Sequence, residues 1–240
     1  KEEFVESVLE EYEEMREDYY ASLEDRAYMK LEDAIKKRKV IDFKASPPEA
    51  APKMLGNTVV EMSLEEVVPF FDWNPFFQTW ELRGRYPNRG YPKIFKDEKV
   101  GEEAKKLHDD ALRMMDDIIK RKALQLRGVV GLYPANTVGT EDVEVYDPAD
   151  TDRSKPLARF CMLRQQSEKE DIEAEYLSQA DYIAPKGSGV EDYLGAFAVA
   201  CFGADEEVKI HEEANDDYSK IMVQALADRF VEAFAEAVHK

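Results

Sequence analysis

Three histidines and two cysteines among 240 residues leave little from which to build a metal centre. No Cys-x-x-Cys pair occurs, and Cys161 and Cys201 stand far apart in the apolar runs ARFCML and AVACFG. That pattern argues against a zinc site made by this chain alone and predicts two reduced, buried thiols. Basic residues are also scarce, 33 against 52 acidic, and a net charge of −19 repels a phosphate backbone and an anionic membrane. Neither nucleic acid nor membrane is expected as a partner. No apolar run approaches the roughly 18 residues of a spanning helix. The acidic start KEEFVESVLEEYEEM lacks the basic end and apolar centre of a signal peptide, so the chain reads as cytoplasmic. Also missing are a P-loop, a dinucleotide fingerprint, a Gly-x-Ser-x-Gly elbow and a zinc-binding helix, which lowers the expectation of a self-contained enzyme.

What is present describes a folded globular chain, with 44% apolar residues, 11 Gly and 11 Pro. Helical spacing places Phe4, Val8, Tyr12, Met15, Tyr19 and Leu23 on one narrow stripe of an otherwise charged helix. The prolines of SPPEAAPKM end that pattern. Residues 1–52 therefore read as a linking helix and arm, or equally as a helix packed on its own domain. A second helix is predicted from Gly101 to about Leu126, with Leu107, Ala111, Met114, Ile118 and Leu126 inward. GVVGLYP, DVEVYD and LARFCML read as short strands with turns between them, which favours antiparallel pairing. LGAFAVACFG reads as a buried strand or a helix, with the glycines at both ends favouring the strand, and Asp216 to His239 as a long helix with Met222, Leu226, Phe230 and Phe234 on its apolar face. The fold class is α/β (α+β): a twisted, mainly antiparallel sheet flanked by long helices.

Two places carry candidate chemistry. Asp72 lies among six aromatic residues in FFDWNPFFQTW, counting Phe70. It is either a helix N-cap, with Pro75 early in the helix, or a carboxylate held for a ligand ammonium, and its two oxygens allow both. On the last helix Asp228, Glu232 and Glu236 recur every four residues. They form a solvated acidic edge, or Asp228 and Glu232 face a cleft that attracts an amine or sulfonium.

Five stretches in order, FDWNPFFQTWELRGRYPNRGYPKIF, RGVVGLYPAN, LRQQSEK, DYIAPKGSGVEDYLGAFAVACFG and DDYSKIMVQALADRFVEAFAEAVHK, resemble the C-terminal activation domain of cobalamin-dependent methionine synthase. The resemblance covers almost the whole chain. PNRGYP is closer to animal members of that family. The resemblance implies a reactivation module that binds S-adenosylmethionine, so that cob(II)alamin is reductively methylated to methylcobalamin. It implies two partners: the cobalamin-binding domain of the same enzyme, and a flavoprotein reductase (methionine synthase reductase or a flavodoxin-like protein). Cobalamin would sit on the neighbouring domain, and zinc only in the homocysteine domain; neither domain is in this chain. Residues 1–52 would lead toward the cobalamin domain, and 53–240 would be the activation domain.

Carried over by position, Asp72 matches the family's aspartate that holds S-adenosylmethionine, Glu232 a glutamate of the same pocket, and Asp228 an aspartate near it. The family's Arg-x-x-x-Gly-Tyr-Pro signature, with a following His, lies beyond its last helix and does not occur before Lys240. Arg85-Tyr-Pro-Asn-Arg-Gly90-Tyr-Pro has one residue too many between its Arg and Gly and lies in a different block, so the binding role is not carried to it. The domain is expected to be truncated at its C-terminal end. The alternative reading is a docking module for the reductase and the cobalamin domain that does not bind S-adenosylmethionine.

Overall fold

The computed structural model describes residues 2–24, 27–48 and 51–240, with the side chains of residues 2–4, 6, 7 and 22–24 outside the description. Phe4 and Leu23 of the predicted stripe, and Glu49 and Ala50 of the proline-rich arm, therefore lie outside the described residues. The chain forms two compact units, one from residues 1–56 and 132–195, the other from 57–131 and 196–240. Five strands pair in the order β1-β2-β3-β4, with β5 on β2. They are β1 (Gly56–Met62), β2 (Gln125–Val138), β3 (Asp142–Tyr146), β4 (Pro156–Cys161) and β5 (Asp192–Phe202). The fold is mixed α/β with a mainly antiparallel sheet, as expected from the sequence. No helix among the described residues is long and apolar enough to cross a membrane.

The first unit holds α1 (Glu2–Glu24) and α2 (Leu31–Lys36) with the β2–β3–β4 pairings. Ala135 of β2 lies opposite Val145 of β3, and Asp142 of β3 opposite Cys161 of β4. The predicted stripe on α1 is open to solvent at Tyr12, Met15 and Tyr19. The segment after α1 is held by backbone bonds, from the Met29 N–H to the Gln166 carbonyl at 2.8 Å and from the Tyr176 N–H to the Lys37 carbonyl at 2.9 Å. Cys161 corrects the expectation of buried thiols: β4 is exposed along its length, and this cysteine with it. Cys201 is half-buried, and desolvation pushes its thiol up to about 11.

The second unit contains the larger core. Its helices are α3 (Leu64–Val67), α4 (Trp73–Thr79), α5 (Gly101–Arg121), α6 (Ala204–Glu213) and α7 (Asp217–Val238). Phe76, Phe77, Leu107, Ile118, Leu226 and Phe230 are buried in one cluster. α5 carries Glu102 and Glu103 in its first turn and Lys120 and Arg121 in its last, matching the helix dipole at both ends. It stops short of the predicted Leu126. Lys122 adopts a left-handed conformation (φ 53°, ψ 40°) and its N–H bonds back to the Ile118 and Ile119 carbonyls, turning the chain into β2. Leu126 is buried all the same, but from a strand. α6 escapes the periodicity test because its one buried side chain is Glu207, held by the Arg121 guanidinium at 2.9 and 2.7 Å.

Candidate functional site

Asp72 caps α4. Its Oδ1 accepts the backbone N–H of Asn74 and the Asn74 side-chain N–H, each at 2.9 Å. Capping by such a carboxylate stabilises a helix by about 1 kcal/mol. Both bonds fall on one oxygen, and Oδ2 has no partner among the described residues. The rings around Asp72 turn away from it into the core. Trp73 packs on Phe76 at 5.2 Å, and Phe71 packs on Phe230 of α7 at 5.4 Å between ring centroids. The carboxylate itself is exposed, so no unpaired charge is buried among the rings.

The contact between Phe71 and Phe230 ties the Asp72 loop to the turn of α7 that carries the other two candidates. Asp228 and Glu232 flank Phe230, and both are exposed while Phe230 is fully buried. Asp228 pairs with Arg229 at 2.5 Å, whereas Glu232 has no partner among the described residues. Glu236 pairs with Lys240 at 3.4 Å, and that ammonium lies 4.5 Å from the centre of the Phe70 ring. The open carboxylate oxygens of Asp72 and Glu232 favour a cationic group over an anionic one.

Asn74 was not singled out in the sequence, yet it sets the Asp72 geometry. Its Oδ1 accepts the Tyr91 N–H at 2.8 Å while its Nδ2 holds Asp72. The Asp-x-Asn spacing at the helix start is the one local signal for it; the bond to Tyr91 has none.

Residues 63–240 match the family described as vitamin B12 dependent methionine synthase, activation domain. The chain belongs to the methionine synthase activation-domain family. A crystal structure of the MetH reactivation domain bound to AdoHcy is similar to it at a TM-score of 0.79 and 44% sequence identity, covering 88% of this chain. The match spans 62% of that solved chain. The family is part of methionine synthase, a methyltransferase.

In this activation-domain chain the LRQQSEK block is organised by Arg164, whose side chain is fully buried. Two of its N–H groups meet Asp181 at 2.7 Å each. Others meet the Tyr176 carbonyl at 2.7 Å, the Thr140 carbonyl at 2.8 Å and Glu141 at 3.1 Å, so all five donors are engaged. Burial by itself would raise the Asp181 carboxyl, but the guanidinium and the Ser178 N–H outweigh it and hold the group below the usual carboxylate range.

His108 of α5 lies in an aromatic cage, 4.4 Å from Trp73, 5.3 Å from Phe95 and 5.5 Å from Tyr91 between ring centroids. Its Nε2 is buried without a partner. Desolvation lowers its pKa against the opposing pull of Asp109, with Lys105 adding to the lowering. Such a histidine is neutral in folded and unfolded chains above the unfolded value near 6.5. Below that value the unfolded chain takes up the proton first. Unfolding free energy should therefore be level above about pH 6.5 and fall below it by at most about 1.4 kcal/mol per pH unit. His108→Phe, which keeps a ring in the cage, should remove that slope in urea titrations between about pH 5 and 7. Equal slopes in the two proteins would exclude His108 as the source.

Proposed function

We propose that this chain binds S-adenosylmethionine as the reactivation module of a methionine synthase, serving the reductive methylation of cob(II)alamin to methylcobalamin. The observation that carries the reading is Asp72, whose capping bonds leave one carboxylate oxygen open, on a loop packed through Phe71 and Phe230 against the turn bearing Asp228 and Glu232. AdoHcy in the solved relative supports it, because that molecule differs from S-adenosylmethionine by the methyl group on sulfur. The residues present fit the cationic end of such a ligand. Asp72 and Glu232 would accept from the ammonium group, and Asp228 would join them by exchanging its Arg229 partner for the ligand cation. S-adenosylmethionine supplies an activated methyl group, and this chain's part is to hold and orient it. Cobalamin would come on a neighbouring domain toward which residues 1–52 lead, with 53–240 forming the activation domain. Electrons would come from a flavoprotein reductase in the cytoplasm.

The competing reading is a docking module without affinity for S-adenosylmethionine. Titration calorimetry with S-adenosylmethionine on this chain, and on one extended past Lys240 to include the Arg-x-x-x-Gly-Tyr-Pro block, separates the two. Heat of binding with one-to-one stoichiometry in the extended chain is the expected result; none in either chain would leave the docking module.

A further inference from the structure

We propose that a second site, a cleft on the opposite side of Asn74 from Asp72 in the hydrogen-bond chain, binds a small oxyanion, a phosphate or carboxylate group. The cleft has a volume of about 280 Å³ and lies between α4 and the loop that follows it. Phe77 and Ile94 form an apolar floor, and Asn74, Gln78, Arg83 and Arg89 supply polar groups. Its volume suits a small molecule or one head group rather than an extended polymer.

The arginines are what single the cleft out. In a chain of net charge −19, Arg16, Arg113, Arg121, Arg127, Arg159, Arg164 and Arg229 all reach carboxylates. Arg83 and Arg89 reach none, nor do Arg38, Arg85 and Arg153, but of these five only Arg83 and Arg89 line the cleft, and neither has a hydrogen-bond partner among the described residues. Residues 83–99 hold six basic side chains against Asp97 and Glu98. Asp97 makes no ion pair with either arginine among the described residues, and its oxygens accept the backbone N–H groups of Arg85 at 2.7 Å, Lys99 at 3.0 Å and Val100 at 3.1 Å.

The loop is also fixed in place before any ligand arrives. Gly84 lies so close to the Asn88 carbonyl that a Cβ there would overlap it, and a Cβ at Gly90 would come within 3.1 Å of Asn74 Oδ1. The Asn88 N–H bonds the Arg85 carbonyl at 2.6 Å, and the Ile94 N–H bonds the Gly90 carbonyl at 2.8 Å. Two like charges brought to one cleft repel each other, and an anion between them removes that repulsion. Guanidinium forks match the paired oxygens of phosphate and carboxylate, and the apolar floor lowers the local dielectric and strengthens the attraction. The preference is opposite in sign to that of the Asp72 site, so the inference stands without the proposed function.

The test is titration of the isotope-labelled chain with inorganic phosphate, and separately with acetate, at constant ionic strength. The signals to follow are the side-chain N–H resonances of Asn74, Gln78, Arg83 and Arg89. Saturable shifts at these positions are expected, weakened by about tenfold or more in each of Arg83→Gln and Arg89→Gln. Arg85→Gln removes the same charge from the same loop outside the cleft and should leave the affinity unchanged. Tighter binding of phosphate identifies a phosphate-bearing ligand, and tighter binding of acetate a carboxylate-bearing one. Shifts that never saturate, or an equal loss in Arg85→Gln, would show only the diffuse field of the loop and overturn the proposal. Melting curves of the variants should superimpose, since both arginines are exposed.

Discussion

Asp72→Asn should lower affinity for S-adenosylmethionine roughly ten- to a hundredfold in the chain extended past Lys240, with thermal unfolding almost unmoved. A charged hydrogen bond contributes about 1.5–3 kcal/mol, and the substitution removes the charge. Asparagine caps helices about as well as aspartate, and its side-chain oxygen can still accept the Asn74 N–H. The two roles of Asp72 therefore separate in one variant: binding falls and the cap remains. Glu232→Gln should weaken binding as well, and more than Glu236→Gln, because Glu236 is already paired with Lys240. Calorimetry that gives Asp72→Asn the wild-type affinity would reduce Asp72 to a cap. Equal small losses at 232 and 236 would leave only the field of an acidic protein.

A larger effect on stability is expected at Asp181. Asp181→Asn leaves the fully buried Arg164 with Glu141, at 3.1 Å, as its remaining carboxylate, and breaking a buried pair from one side costs up to about 3–5 kcal/mol. The melting temperature should fall by roughly 2–4 °C per kcal/mol for a chain of this size. Hydrogen exchange should report the loss first at the backbone groups that Arg164 organises, around Thr140 and Tyr176. The wild-type pair also gives a pH signature of known sign. Since the Asp181 carboxyl is held below its unfolded value, its contribution is present above about pH 4 and is lost as pH falls through the folded value. Arg164→Lys should not preserve the pair, because three donors on a point charge cannot replace five on a planar fork. An Asp181→Asn protein as stable as the wild type would mean that the pair roughly balances its desolvation.

Legibility in the sequence followed the kind of force involved. α7 was readable because Met222, Leu226, Phe230 and Phe234 repeat at helical spacing and are all buried. The start of α4 was readable because an acceptor before a helical run is a local signal, and Asp72 does cap it. α6 was not, since its inward side chain is Glu207 and the burial is made possible by Arg121, 86 residues away in the chain. The end of α5 was misplaced because Leu126 continues the helical spacing by coincidence, while the backbone reverses hand at Lys122. β1 carries only a weak signal, because its alternation brings only half-buried residues inward. At the candidate site the carboxylates were legible as types and spacings. That Asp72 keeps one oxygen open depends on Asn74, which a pattern search has no reason to select.

The clip made by Asn74 also sets where this chain tolerates insertions and deletions. One amide joins Asp72 to Tyr91, 17 residues further along than Asn74 itself, so the register of the intervening loop is counted from both ends. A residue added near Tyr86, which is 94% exposed, meets open space and can bulge outward. A residue added between Arg89 and Tyr91 would carry the Tyr91 N–H away from the Asn74 oxygen and free that amide to turn, along with the carboxylate it holds. Homologous chains that vary in loop length here should therefore place the variation before Arg89, or replace Asn74 when they do not.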